Sequence, residues 1–320
     1  MPLLMSGRSR RTSALAGAAA LALVTLSACG SSAKAPSVNG AGAKGGSAYD
    51  KIITSAPVAS SGDVDKNAWA KKIKSQGFLK VGGTDSGPLF SIKDIDTGEL
   101  SGFDAGLSQM LAHYITGKTD VPKLTKLTIT SVDTRETLLQ NNTVDAVFAT
   151  YSITPERAQK VNFAGPYYRS GDAIMVKKDN NSIKTAKDLN GIKVATESNS
   201  TAALAVKKLA PKAKILLFKE DAQCVAAVQQ GRADAYVLDQ GILLGDAQSN
   251  PAVKVIGEPF TVDPYGIGVN KNNDAKPFVN AFLQKIEASG DWAKLWKATI
   301  GTVIKGNAPQ PPKIGSVPGS

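Results

Sequence analysis

From Trp69 onward, short apolar runs alternate with stretches in which apolar residues recur every three or four positions. The first pattern predicts strands and the second amphipathic helices. Phe78–Gly82 reads as a strand, Asp104–Thr116 as an amphipathic helix closed by Gly117, and Leu127–Ser131 as a strand. Thr134–Gln140 follows as a helix and Ala146–Ala149 as a strand. The alternation resumes with strand Ile192–Ala195, helix Ser200–Leu209, strand Ile215–Phe218, helix Asp221–Gln230 and strand Ala235–Leu238. Such alternation predicts an α/β fold of mostly parallel sheets flanked by helices.

A pseudo-repeat lies inside this pattern. The segment from Arg135 to Thr150 parallels the segment from Cys224 to Asp239, each reading helix, tight turn, Asp-Ala and a buried strand that ends in a polar residue. Asp145 to Asp234 and Thr150 to Asp239 are both separations of 89 residues. One unit thus occurs once in each of two lobes. Ligands of open α/β sheets bind beyond the carboxyl ends of the strands, which is where Thr150 and Asp239 fall.

The densest local chemistry is Ala149-Thr-Tyr-Ser-Ile-Thr-Pro-Glu-Arg157. Thr154 is placed as a helix N-cap and Pro155 as the first helical residue. Arg157 then falls in the first turn, where its guanidinium and the free N–H groups favour a carboxylate, with Thr150 and Ser152 on the same rim. A surface arginine paired with Glu156 or Asp172 is the competing reading. In the second lobe, Ser200 is a natural N-cap beside Thr201, and Asp239 offers one negative charge. Capping the helix Gln240–Ala247 is the alternative role for Asp239. Together Arg157 and Asp239 describe a receptor for a zwitterion.

The first 65 residues follow another logic. Residues 1–28 have a basic start with Arg8, Arg10 and Arg11, an uncharged apolar run and a small-residue cleavage site. That is an export signal, too short to span a bilayer, for which roughly 20 residues are needed. Cys29 directly after Leu26-Ser27-Ala28 resembles a bacterial lipobox, which implies lipidation of Cys29 and attachment to the outer face of the membrane. Residues 29–65 are rich in Gly, Ser, Ala and Pro and are expected to form a flexible tether; 304–320, with four prolines, are expected to be disordered. The net charge of +11 is scattered without an interleaved aromatic motif, which argues against nucleic-acid binding. Two cysteines without C-x-x-C spacing, one histidine and no phosphate-binding loop predict no metal and no cofactor. His113, Trp292 and Trp296 read as packing residues, and Cys224 as a reduced, buried helix residue.

Several stretches resemble the bacterial extracellular solute-binding proteins for polar amino acids: Leu79-Lys-Val-Gly-Gly, Gly102-Phe-Asp-Ala-Gly-Leu, Arg135 with Val144-Asp-Ala, Ser152-Ile-Thr-Pro-Glu-Arg157, Val161-Asn-Phe-Ala-Gly-Pro-Tyr-Tyr168, Asp188-Leu-Asn-Gly and Ala233-Asp-Ala-Tyr-Val-Leu-Asp239. The resemblance covers roughly 68–303. It implies a type II periplasmic-binding-protein-like fold with two lobes, about 66–170 plus 262–303 and 171–261, joined by a two-strand hinge near 168–173 and 258–264. It further implies that Arg157 grips the α-carboxylate, helped by Ser152, Ser200 and Thr201, and that Asp239 holds the α-ammonium. The expected partners are an ABC permease and its ATPase, with the receptor itself a monomer and not an enzyme.

Ala149-Thr-Tyr-Ser-Ile-Thr and Pro264-Tyr-Gly-Ile-Gly are most similar to actinobacterial glutamate binders. Asp85 departs from that branch: facing the pocket, it would repel a second carboxylate and attract an amide or a cation. Glutamine, asparagine and a basic amino acid therefore stay open as ligands. Phe90 is a candidate pocket wall, whereas Phe103 reads as core. A dehydratase or lyase on the same scaffold, with Glu197 or Asp85 as acid or base, is the alternative of a different class.

Overall fold

The computed structural model describes residues 47–320. The export signal, Cys29 and the start of the tether lie outside the described residues. Two five-stranded mixed sheets organise the chain, each the sheet of one lobe. In the first lobe, β1 (Leu79–Gly83) lies between parallel neighbours β5 (Thr125–Ile129) and β6 (Ala146–Val147). A small antiparallel ribbon of β2 (Ser86–Gly87), β3 (Ser91–Lys93) and β4 (Leu100–Ser101) follows β1. The antiparallel strands β13 (Asp263–Val269) and β7 (Asn162–Ser170) complete the first sheet in the order β5-β1-β6-β13-β7.

The second lobe repeats the plan. Its parallel trio is β10 (Lys214–Phe218), β9 (Lys193–Glu197) and β11 (Ala235–Asp239), followed by antiparallel β8 (Asp172–Lys177) and β12 (Val253–Ile256). The pseudo-repeat corresponds to α5 (Arg135–Gln140) with β6 and to α8 (Asp221–Gln229) with β11, the last helix and strand of each trio. Its paired aspartates do the same structural work. Asp145 Oδ2 accepts the Lys80 backbone N–H at 3.0 Å, and Asp234 Oδ2 accepts that of Lys193 at 2.8 Å. Each carboxylate latches the third strand to the central one.

The chain crosses between lobes twice, at Gly171 between β7 and β8 and again between β12 and β13. These crossings touch: a Cβ on Gly171 would collide with the Thr261 carbonyl, so only glycine lets the strands pass.

Both ends differ from the sequence expectation. Instead of a tether up to residue 65, α1 (Ala48–Thr54) and α2 (Ser61–Asp65) are helices, followed by α3 (Ala68–Gln76). Ser47 and Asp50 close a capping box on α1, and Ile53, Ala56 and Val64 are buried. This explains a second departure. The helix α4 (Phe103–Thr116) is buried at every position rather than on one face, because α1 and α3 cover the side that would otherwise meet water. α10 (Ala275–Ala288) and α11 (Asp291–Ala298) also pack on it. His113 is packed there, its Nδ1 2.7 Å from the Lys118 carbonyl.

The C-terminal segment, expected to be disordered, is laid along the first lobe. Gly315 donates to the Gly165 carbonyl at 2.8 Å, and Val317 packs on the cluster containing Tyr151 and Ile153. Among the described residues no helix is long and apolar enough to cross a membrane. If α1 belongs to the folded body, Ile53→Ala is expected to cost about 2–4 kcal/mol through the cavity it leaves. Urea unfolding measures this; a loss below ~0.5 kcal/mol would show α1 to be dispensable.

Candidate functional site

The site forms where loops after the parallel strands of the two lobes meet. Beyond β6 the chain turns at Thr150, whose φ of 45° is a left-handed value that a β-branched residue adopts only under constraint. The constraint is Asp104 on α4. Its Oδ2 accepts the Thr150 N–H at 2.7 Å, and its Oδ1 accepts the Tyr167 hydroxyl at 2.7 Å. Burial pushes the Asp104 carboxyl up to about 6 against those two hydrogen bonds. Leu89 and Asn199, in other loops of this region, share the left-handed conformation.

Thr154 then caps α6 (Pro155–Lys160), its hydroxyl accepting the Arg157 N–H, with Pro155 at the first position. Arg157 is only 8% exposed and, among the described residues, forms no salt bridge with Glu156, Asp172 or any other acid. Nη1 donates to the Ser152 carbonyl at 2.9 Å, and Nη2 donates across the cleft to the Asn199 carbonyl at 3.1 Å. Asn199 Nδ2 donates back to Asp133 of the first lobe. Ser152 Oγ lies 3.5 Å from Thr201 Oγ1, a second bridge between lobes. Ser200 caps α7 (Thr201–Leu209) by accepting the Ala203 N–H and gives its own proton to the Glu197 carbonyl.

Asp239 stands at the N-cap position of α9 (Gln240–Ser249), yet its side chain makes no capping bond. It is 5% exposed, and instead of capping it joins a carboxylate cluster. One oxygen each from Asp172, Asp239 and Asp263 lies within 4.8 Å of the others. Asp172 is fully buried with neither carboxylate oxygen hydrogen-bonded, and Asp239 Oδ1 is likewise without a partner. Such a hard oxygen set accepts a proton, a hard metal cation or an ammonium. The cluster sits at the hinge, with Asp172 at the first crossing and Asp263 at the end of the second.

Phe90 is 1% exposed, its ring edge-on to Tyr168 and Tyr265 at 5.7 and 5.8 Å and seated on Gly241 of α9. It therefore packs between the lobes beside the hinge. Asp85 is half-buried in the loop after β1, and no hydrogen bond among the described residues joins its carboxylate to Arg157, Asp239 or Ser200. Phe103 is core, as is Cys224, a free thiol.

Sequence reasoning gave no site role to Asn199, Asp104 or Arg135. Asn199 acts through a backbone carbonyl, which no side-chain pattern announces. Asp104 lay in the Gly102-Phe-Asp-Ala-Gly-Leu stretch, where it read as a charge inside an apolar helical run. Arg135 stacks on Tyr151 with its guanidinium carbon 3.9 Å from the ring centroid.

Residues 79–302 match the family model of bacterial extracellular solute-binding proteins, family 3. The chain belongs to this family. This solute-binding protein is 32% identical to the glutamate-binding protein GluB of Corynebacterium glutamicum over 91% of the chain and 90% of the relative. It is 33% identical to the ABC transporter glutamine-binding protein GlnH of Bacillus subtilis, over 66% of this chain and 77% of that one. Among solved structures it resembles the ancestral amino acid-binding protein AncCDT-1, a precursor of cyclohexadienyl dehydratase. There the TM-score is 0.65 and the identity 34%, covering 72% of this chain and 99% of that one. The two-lobed fold agrees with these relatives.

Burial, and after it the charges of Asp239 and Asp263, raises the Asp172 carboxyl well above the ordinary carboxylate range; burial raises Asp239 also. A carboxyl raised on folding costs nothing at pH values where both states hold the proton. The cost appears above ~4 and grows as pH climbs toward the raised values. The solute-binding protein is therefore expected to lose thermal stability in ligand-free solution as pH rises from 5 to 9. Asp172→Asn should flatten that loss and raise Tm at pH 8 by roughly 3 °C or more. Parallel Tm–pH curves for the two proteins would contradict the assignment.

Proposed function

We propose that this chain is the extracellular receptor of an ABC importer for polar amino acids, with glutamate as its ligand. The amino acid binds between the lobes, its α-carboxylate on Arg157 with Ser152, Thr150, Ser200 and Thr201 around it, and its α-ammonium on Asp239. The observation that carries this reading is the separation of buried charge. A guanidinium without a carboxylate lies on one lobe and carboxylates without a cation lie on the other and at the hinge. A zwitterion neutralises both at once, whereas a simple ion answers only one. Glutamate is preferred to glutamine because the match to the Corynebacterium protein extends over nearly the whole chain.

In this reading the bridges from Arg157 to Asn199 and from Ser152 to Thr201 form on closure by hinge motion, and the closed form docks on the permease. A lipid on Cys29 keeps the receptor at the outer face of the membrane.

A dehydratase or lyase reading draws on Glu197, whose half-buried carboxyl is pushed up to about 8, first by burial and then by Asp221. A carboxyl that holds its proton at neutral pH suits a general acid. The resemblance to a precursor of a dehydratase adds to that reading.

Calorimetry on residues 30–320, unfolded and refolded to remove carried-over ligand, tests these readings against the twenty amino acids. Glutamate is expected to bind, and Arg157→Ala to weaken it roughly 100-fold or more, the scale of losing a charge-assisted pair in a closed cleft. NMR should recover the ligand unchanged. An altered product would favour the enzyme, and a folded protein that binds no amino acid would sink the receptor reading.

A further inference from the structure

We propose that the C-terminal segment braces the loop that carries Arg157, with Val317 and Gly319 as positioning residues for ligand binding; this rests on the receptor reading given above. The segment lies beyond residue 302, where the match to the family model ends. It keeps its shape through turns of its own. The Ser316 N–H donates to the Lys313 carbonyl at 3.0 Å, and the Ser320 N–H and hydroxyl both donate to the Val317 carbonyl, at 2.9 and 2.7 Å. Gly315 fastens it to β7 through the Gly165 carbonyl, and Ile314 packs on the main core.

From there it reaches the back of the site. Val317 packs on the cluster that contains Tyr151 and Ile153, beside Ala158 of α6. The Tyr151 ring is the one whose centroid lies 5.4 Å from the Arg157 guanidinium carbon. Gly319 approaches α6 more closely still: a Cβ there would stand 2.7 Å from the Ala158 Cβ and 3.5 Å from Ile153 Cγ2. Its φ of 97° is also in the range that favours glycine. The other side of the loop is held by β13. The Ile153 N–H donates to the Pro264 carbonyl at 2.8 Å, and the Gly266 N–H donates to the Tyr151 carbonyl at 2.9 Å. The loop is therefore clasped between β13 and the C-terminal segment.

The clasp matters because α6 has only six residues, and a helix that short holds its shape through packing rather than by itself. Arg157 is in that helix, and its Nη1 bond to the Ser152 carbonyl stays within the same loop. What packs behind Ile153 and Ala158 thus sets how the guanidinium enters the cleft. Among the described residues no hydrogen bond joins 303–320 to Arg157, Ser152, Thr150 or Asp239, so the segment acts through the loop. An arginine held in place before the ligand arrives loses less freedom on binding.

Calorimetry with glutamate and with glutamine compares the mature chain, residues 30–320, with Gly319→Val, Val317→Asp and a chain ending at Pro312. Each variant is expected to bind the amino acid that wild type selects roughly 10-fold more weakly, the scale of one long side chain that has to be ordered on binding. A cycle with Arg157→Ala separates positioning from general support. In that background Gly319→Val should change Kd by less than about 2-fold, since no guanidinium remains to be placed. An unchanged Kd in the folded variants overturns the proposal, and so does an equal loss with and without Arg157. Should the chain ending at Pro312 fail to fold, the two point variants decide, because they leave the rest of the segment in place. Failure of the receptor reading is distinct, since a folded wild type would then bind neither amino acid.

Discussion

Arg157 obtains its oxygen ligands from both lobes, through the carbonyls of Ser152 and Asn199. Carbonyls satisfy N–H donors but leave the net charge in place. A desolvated cation held only by dipoles has a free energy that any adjacent anion lowers strongly. The carboxylate cluster at the hinge has the opposite deficit, since Asp172 and Asp239 lie where water does not compensate them. In the receptor reading proposed above, closing the lobes would bring two unfavourable burials together with several favourable contacts. A zwitterion would remove both unfavourable terms and keep the contacts, so that binding and closure would reinforce each other through one electrostatic balance.

Such a balance needs fixed geometry, and the sheets supply it. Asp104 sits on a helix with no exposed face, so its carboxylate has little freedom and can hold Thr150 in a strained turn. The full burial of that helix in turn requires α1 and α3, a long way back in the chain from the cleft. Stability at the N-terminal edge and precision at the cleft are in this way one packing problem. The C-terminal segment has a comparable place, packing on the cluster that includes Tyr151, the ring shared by the two arginines.

Much of the fold was legible because strand ends, N-caps and helix stops are local events. Thr154-Pro155 and Ser200 lie where cap chemistry put them, and the two copies of the repeated unit occupy matching places in their sheets. The ends of the body misled for a physical reason. A Gly, Ser and Ala-rich stretch lacks the bulk for a core of its own, but Tyr49, Ile52 and Ile53 need only a surface to cover, and α4 provides it. The capping box Ser47–Asp50 was the available signal. A proline-rich tail forms no helix or strand, yet that does not prevent single residues such as Ile314 and Val317 from packing. Antiparallel β7, β8, β12 and β13 were similarly hidden, since alternation of strands and helices describes only the parallel trios. At the site, Asn199 was illegible because it works through its carbonyl. Arg135 was illegible because a charged residue at a helix start looks solvated until the fold places Ala149 and Tyr151 around it.

The repeated architecture separates what is structural in the site from what is chemical. Asp145 and Asp234 occupy equivalent positions and make equivalent bonds, so the duplicated plan is maintained by duplicated chemistry. Five residues further on the equivalence ends: Thr150 in one lobe corresponds to Asp239 in the other. The cations gather in the loops of the first lobe and the carboxylates in the second lobe and at the hinge. Two like scaffolds placed face to face would by themselves present like charges, which repel across a closing cleft. Opposite signs in the loops beyond the two sets of strands turn that symmetry into attraction and make the cleft polar, which in the proposed reading would give a zwitterion its direction. In that reading ligand choice would depend on a few loop residues, and the sheets behind them could stay as they are.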